Sequence, residues 1–420
     1  MSGQVIAVMS ALIFCYALVA RGLVSTSLTA PMLSIAAGMV FFAASSVDIN
    51  ADFVHALAEM TLVIILFHDA STVRLGRLRH DPGIALRLLM IGFPLALLAT
   101  FLVSRALFPA VGIAGAWLIA AAITPTDAGL GAPTVLNPVV PLRVRRGLNV
   151  ESGLNDGLAT PIVLMALAVF AEREDAPIPG LLGVGVAPVL LALGCAVVLA
   201  LVAAWCMDRS RERGLSSPRG RQIATLGVPA LLFGVAELIG ANAFIAAFAG
   251  GLVFGAASIS LAEDRGTGGL IETAADLLGF VVWFFFGGLL LVVFEVGIRW
   301  QAALIAVLAV TALRLIPVAL AMIGSGFSWR TVAFLGWFGP RGLATIVFGL
   351  LALEELGRSA PGIAEIESVL AVTVLLSVFA HGFTAGPLSR SYGQWVQRSG
   401  ATIGLEPSVE PMPSRGRTGH

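Results

Sequence analysis

Ala120-Ala121-Ala122-Ile123-Thr124-Pro125-Thr126-Asp127-Ala128-Gly129 is an apolar run that stops at a proline and an acid, inside a stretch long enough to cross a bilayer. Far along the chain, Gly336-Trp337-Phe338-Gly339-Pro340-Arg341-Gly342 breaks likewise at a proline, here beside a base, before Leu343-Ala344-Thr345-Ile346. Proline removes a backbone donor, and an unsatisfied backbone group in hydrocarbon costs several kcal/mol. Such breaks persist only where protein buries them or where they line a polar cavity. A proline kink would explain either one alone. Two in register are harder to dismiss: each carries an ionisable residue (Asp127, Arg341), follows a proline-containing span (Pro94, Pro317) and precedes one more helix. Interrupted spans in corresponding halves point to the midplane site of an inverted-repeat transporter.

Composition sets the class. The chain has 420 residues, 58% of them hydrophobic and 12% charged, with a mean hydropathy of +0.96. Soluble domains carry about 25% charged residues. An all-α, polytopic membrane protein is therefore expected. The formal net charge is zero, which gives no electrostatic case for a nucleic-acid partner. All 25 basic residues are arginine, so no lysine ion pair can operate. Cys15, Cys195 and Cys206 lie in apolar runs without CxxC spacing and read as packing residues. The run from Val5 to Ala20 lacks a basic region before it and reads as a retained first span, not a signal peptide.

Apolar runs give about thirteen candidate spans, near 4–20, 29–47, 54–72, 83–108, 111–136, 148–170, 179–206, 222–239, 242–259, 271–294, 301–324, 331–354 and 366–389. The division between the eighth and ninth, at Ile239-Gly240-Ala241-Asn242, is the faintest. Arginines cluster after odd-numbered spans: Arg74, Arg77 and Arg79; Arg143, Arg145 and Arg146; Arg209, Arg211, Arg213, Arg219 and Arg221; then Arg265, Arg390 and Arg398. Loops after even-numbered spans are acidic, as in Glu172-Arg173-Glu174-Asp175 and in Glu354 to Glu367. The positive-inside rule then puts the N-terminus outside and the C-terminus in the cytoplasm, which requires an odd count. Residues 1–389 form the transmembrane domain, and 390–420, with Pro407, Pro411 and Pro413, read as a short disordered cytoplasmic tail.

The sixth span reads Asn149-Val150-Glu151-Ser152-Gly153-Leu154-Asn155-Asp156-Gly157-Leu158-Ala159-Thr160. An acid at the centre of a spanning helix costs about 2.5–3.5 kcal/mol on insertion scales, so two within six residues call for a function. At ~100° per residue, Glu151, Ser152, Asn155 and Asp156 share a wedge of roughly 140°. That face gathers the hard oxygens an alkali cation needs, by analogy with other hard cations. Arg314, in Thr311-Ala312-Leu313-Arg314-Leu315-Ile316-Pro317, is the basic residue placed deep in an unbroken span, and it is expected to pair with Glu151 as a structural ion pair. Asp156 is then the expected carrier. Burial penalises its charged form, so a proton and a cation become alternatives for one site. With Asn155 beside it instead of a second acid, the loaded site has the same charge with either passenger, which implies electroneutral one-for-one exchange.

On these residues the chain resembles the monovalent cation/proton antiporter family, in its NhaP-like bacterial branch of sodium/proton exchangers. The resemblance rests on Thr126-Asp127, Glu151-Ser152-x-x-Asn155-Asp156, Asn242-Ala243-Phe244-Ile245-Ala246-Ala247-Phe248 with Gly250-Gly251-Leu252, Arg314, and Gly339-Pro340-Arg341-Gly342, and spans about residues 50–390. It implies a thirteen-helix inverted-repeat fold with two broken crossing helices, a homodimer in the bacterial inner (plasma) membrane, and elevator-like movement. It also implies that Asp156, Ser152 and Thr126 contact the ion, with Asp127 close by or acting through water, and that the third span offers Asp69. TPTDAG departs from the family pattern, in which proline commonly follows the acid, and this touches the role of Asp127.

No cofactor is called for beyond the transported ions: sodium, or lithium or potassium, against protons. An intramembrane enzyme is disfavoured, because the chain has no HExxH or GxSxG. A cation channel needs no titratable carrier acid. A potassium-selective or electrogenic exchanger of the same fold is the nearer alternative. His68, beside Asp69, is a weak candidate for pH sensing. His381 reads as a hydrogen-bonded structural residue, and Glu237, Glu272 and Asp276 as capping or cavity-lining acids. Gly251 and Gly255 read as close helix packing.

Overall fold

The computed structural model describes residues 3–23, 28–45, 47, 51–73, 83–171, 187–264, 266–357 and 359–399. Every regular element among them is helical. Apart from the short turns Pro109–Val111 and Ile259–Glu263, these are in chain order α1 (Gly3–Leu23), α2 (Ala30–Ala44), α3 (Ala51–Thr72), α4 (Gly83–Leu107), α5 (Gly112–Ile123), α6 (Ala128–Val135), α7 (Leu142–Ala171), α8 (Ala187–Glu212), α9 (Pro218–Leu238), α10 (Ala243–Ala257), α11 (Gly269–Val296), α12 (Trp300–Ala321), α13 (Trp329–Trp337), α14 (Leu343–Leu356) and α15 (Ile363–Ser399). Among the described residues, ten helical stretches are long and apolar enough to cross a membrane. The shorter apolar helices α2 and α10 stand at the second and ninth expected positions. The pair α13 and α14 stands at the twelfth, split at Pro340.

Local irregularities follow the sequence. α4 contains a π turn at Leu88–Gly92, directly before Pro94, where the missing proline donor disturbs the ladder. α12 is hitched at Thr311 (φ −120°, ψ −101°), one turn before Arg314. The faint division between α9 and α10 is a tight turn: Gly240 takes a left-handed conformation (φ 68°), and the Asn242 side chain caps α10 by accepting from Ile245 N at 2.9 Å.

Small residues draw the helices together. A Cβ on Gly255 would collide with the Ser71 carbonyl, and one on Gly251 with Phe67, so α10 lies against α3 backbone to backbone. Gly38 and Gly287 do the same for α2 and α11. Two boundaries differ from expectation. Arg143, Arg145 and Arg146 belong to the first turns of α7 and not to a loop, and Arg145 is buried. The last helix continues ten residues past 389, because Tyr392 stacks on Phe334 (ring centroids 4.2 Å apart) and donates to Thr331 Oγ1 at 3.0 Å. The arginines at 74, 77, 79, 265 and 358, the acidic segment 172–175 and the tail from 400 lie outside the described residues.

Gly255→Ala should lower stability by about 1–3 kcal/mol through overpacking. Gly194→Ala, on a helix face with open space around it, should be neutral or stabilising. Thermal unfolding of the two variants in detergent, followed side by side, checks the contrast.

Candidate ion site at the crossing of two broken helices

Each broken span presents two helix ends mid-structure, and a helix end leaves four backbone groups unsatisfied. The ends meet. Asp127 N donates to Pro340 O at 2.7 Å, tying one break to the other. The Asp127 carboxylate then serves two helices. Oδ1 accepts from Gly129 N at 2.7 Å and Leu130 N at 3.1 Å, at the start of α6. Oδ2 accepts from Leu343 N at 2.8 Å, at the start of α14. A carboxylate is stabilising at a helix N-terminus, and here one carboxylate lies at two. Gly342 permits the approach, since a Cβ there would overlap the Asp127 side chain.

Arg341 supplies the opposite charge to the opposite pole. It is 1% exposed, and its Nε donates to Ile123 O, the last residue of α5, at 3.0 Å. Its Nη1 donates to Gly339 O. Thr345 Oγ1 donates to Ala122 O at 2.8 Å, so a second carbonyl at that end of α5 is also engaged. The Arg341 backbone N donates to Ser377 Oγ on α15 at 2.6 Å.

α7 passes the crossing with its polar wedge inward. Thr126 Oγ1, from the first break, lies 2.8 Å from Ser152 Oγ and accepts from Asn155 Nδ2 at 2.7 Å. The Asn155 Oδ1 oxygen is buried without a hydrogen-bond donor among the described residues. Asp156 follows it and is 4% exposed; its backbone carbonyl accepts from Thr160 Oγ1 at 2.8 Å. Gly157 lets the Phe248 ring of α10 lie against the helix at this level, and Gly153 lies 3.7 Å, measured from an ideal Cβ, from the Asp69 Cβ of α3. The donor set of hydroxyl, amide and carboxylate oxygens suits a small hard cation as cargo.

Glu151 and Arg314 form a bidentate pair, buried on both sides. Arg314 Nη2 donates to Oε2 at 2.7 Å, and Nη1 donates to Oε1. The hitch at Thr311 precedes the turn that carries Arg314, and Gly339 leaves room for the guanidinium beside the second break. The structure therefore brings Thr126, Ser152 and Asn155 together, joins Glu151 to Arg314, and sets Asp69 against α7. It commits Asp127 and Arg341 to the helix ends. Ser377 and Thr345 also hold the breaks. Neither stands out in sequence, because a lone hydroxyl in an apolar helix most often bonds its own backbone. Glu272 lies in the first turn of α11, a position suited to an acid.

A family model described as sodium/hydrogen exchanger, transmembrane, matches residues 8–391. The chain belongs to the sodium/hydrogen exchanger family. This exchanger-family chain is a multi-pass, all-α membrane protein, similar to a Na+/H+ antiporter of Schizosaccharomyces pombe at 23% identity over 66% of its length. A probable Na+/H+ antiporter of the same yeast is 25% identical over 73% of the chain. The alignments span 65% and 42% of those relatives' own lengths. Among solved structures, the sodium proton antiporter MjNhaP1 from Methanocaldococcus jannaschii at pH 8 matches with a TM-score of 0.72 and 19% identity, over 93% of this chain and 98% of that one. The fold of this chain is therefore the fold of that antiporter.

The buried pair yields a test. Glu151→Leu or Arg314→Met alone should cost about 3–5 kcal/mol by stranding a buried charge, whereas the double replacement should recover much of that loss. A double-mutant cycle on thermal stability measures the coupling.

Proposed function

We propose that this chain exchanges a monovalent cation, sodium foremost, for a proton by competition at Asp156. Ser152, Asn155 and Thr126 supply the neighbouring oxygens, and Asp69 borders the site from α3. The observation that carries the reading is the oxygen cluster of Thr126, Ser152 and Asn155, placed beside a buried acid where two broken helices cross. A cation there gains several oxygen ligands without water, and a proton gains the carboxylate alone. Each passenger excludes the other, so their fluxes are coupled.

Electroneutrality follows from the charge inventory. Glu151 is balanced by Arg314, Asp127 answers the helix N-termini, and Asn155 is neutral. On this reading Asp156 is the acid that takes either a proton or a sodium ion, so the stoichiometry is one for one. Alternating access is of the elevator type within a homodimer in the cell membrane, with the N-terminus outside and the C-terminus in the cytoplasm. This part rests on the family and on the arginine parity of the loops.

Proton flux in proteoliposomes, followed by a pH-sensitive dye and challenged in turn with sodium, lithium and potassium, tests the reading. Asp156→Asn should reduce cation-driven proton movement to background while the protein remains folded. Full flux in that variant would end the single-carboxylate mechanism, and the three cations rank the substrate.

A further inference from the structure

Among the buried titratable groups outside this mechanism, one lies against the second break. His381 of α15 is buried, and its ring joins α15 to the second break. Nε2 lies 2.8 Å from Trp337 O, the last residue of α13. Nδ1 lies 3.2 Å from Ser377 Oγ and 2.8 Å from the Ser377 carbonyl one turn back. Ser377 Oγ is also the atom that accepts the Arg341 N–H at 2.6 Å. The ring donates to Trp337 O when its proton is on Nε2 and to the Ser377 carbonyl when it is on Nδ1, and Arg341 N–H donates to the Ser377 Oγ that lies beside Nδ1. The histidine thus grips both ends of the Phe338–Arg341 segment.

That segment is the part of the second break that reaches the ion site. Pro340 O receives the Asp127 N–H at 2.7 Å, and the adjoining residue, Thr126, bonds Ser152 and Asn155. A shift of the Phe338–Arg341 peptides moves Pro340 O, hence Asp127 N, hence Thr126. The Trp337 side chain fixes the same register from its other edge, since Nε1 donates to Thr384 Oγ1 at 2.9 Å, one turn beyond the histidine. A histidine that only filled space would need neither nitrogen aimed at the break.

We infer that His381 is a positioning residue for the ion site, holding the second broken helix so that Thr126 stays within reach of Ser152 and Asn155. The inference rests on the function proposed above. It assigns His381 no contact with the ion and no proton transfer. Its loss therefore acts on cation affinity more than on maximal rate.

The test is a cation titration of proton flux in proteoliposomes holding the full chain, for wild type, H381F, H381Q and S377A. H381F keeps the bulk and loses both bonds; H381Q keeps a donor for Trp337 O. H381F and S377A should raise the apparent KM for the cation about tenfold with maximal rate within about twofold, and H381Q should stay within about threefold of wild type. An unchanged KM in H381F would overturn the inference, as would an equal loss in H381Q and H381F. If H381F does not fold, S377A with a wild-type KM overturns it alone. A wild-type chain that moves no protons on cation addition would remove the transport reading itself, a result distinct from wild-type flux with indifferent variants.

Discussion

A helix interrupted inside a hydrocarbon layer must find partners for its severed ends, and the rest of this structure depends on how that is done. Asp127 answers two helix N-termini with one carboxylate, and Arg341 answers the carbonyl end of α5 with one guanidinium. Opposite charges lie at opposite poles of the helix dipoles, so the crossing is held electrostatically as well as by hydrogen bonds. Neither residue could be exchanged for an apolar one without leaving backbone groups unsatisfied where water does not reach.

From that crossing the site follows. The first break delivers the Thr126 hydroxyl to α7, where Ser152 and Asn155 receive it. The second break makes room at Gly339 for Arg314, which then neutralises Glu151. Of the acids brought close to the crossing, Glu151 serves an ion pair and Asp127 serves helix ends. On the proposed reading, Asp156 is the carboxylate that takes the cargo. Glycines on α7 and α10 let α3 and the Phe248 ring close around it. On that reading, stability and transport use different carboxylates of one cluster.

Much of this was legible in the sequence because membrane physics penalises exceptions heavily. Pro125 and Pro340 marked the breaks, two acids within six residues marked α7, and a lone deep arginine at 314 called for an acid. What stayed hidden was relational. Nothing near Asp127 says that its second oxygen caps a helix that starts at Leu343, more than two hundred residues on. Ser377 and Thr345 look like any hydroxyl in an apolar helix until the breaks are folded against them. The helix through residues 390–399 was also unreadable, since its polar composition suits a tail, and what holds it is the burial of Tyr392, Gly393 and Val396 against the bundle.

Competition between a proton and a cation for one carboxylate is the central claim, and the pH dependence of cation affinity tests it most directly. Reciprocal linkage requires that if protons and cations exclude each other, each pH unit on the acid side of the site's titration should weaken apparent sodium affinity about tenfold, with a plateau on the alkaline side. Cation-induced thermal stabilisation of the purified protein, titrated with sodium at several pH values, gives that slope without any transport assay. The account predicts a slope near one in log affinity against pH, absent in Asp156→Asn. Sodium affinity that stays constant across the range, in a protein that still moves protons, would contradict it.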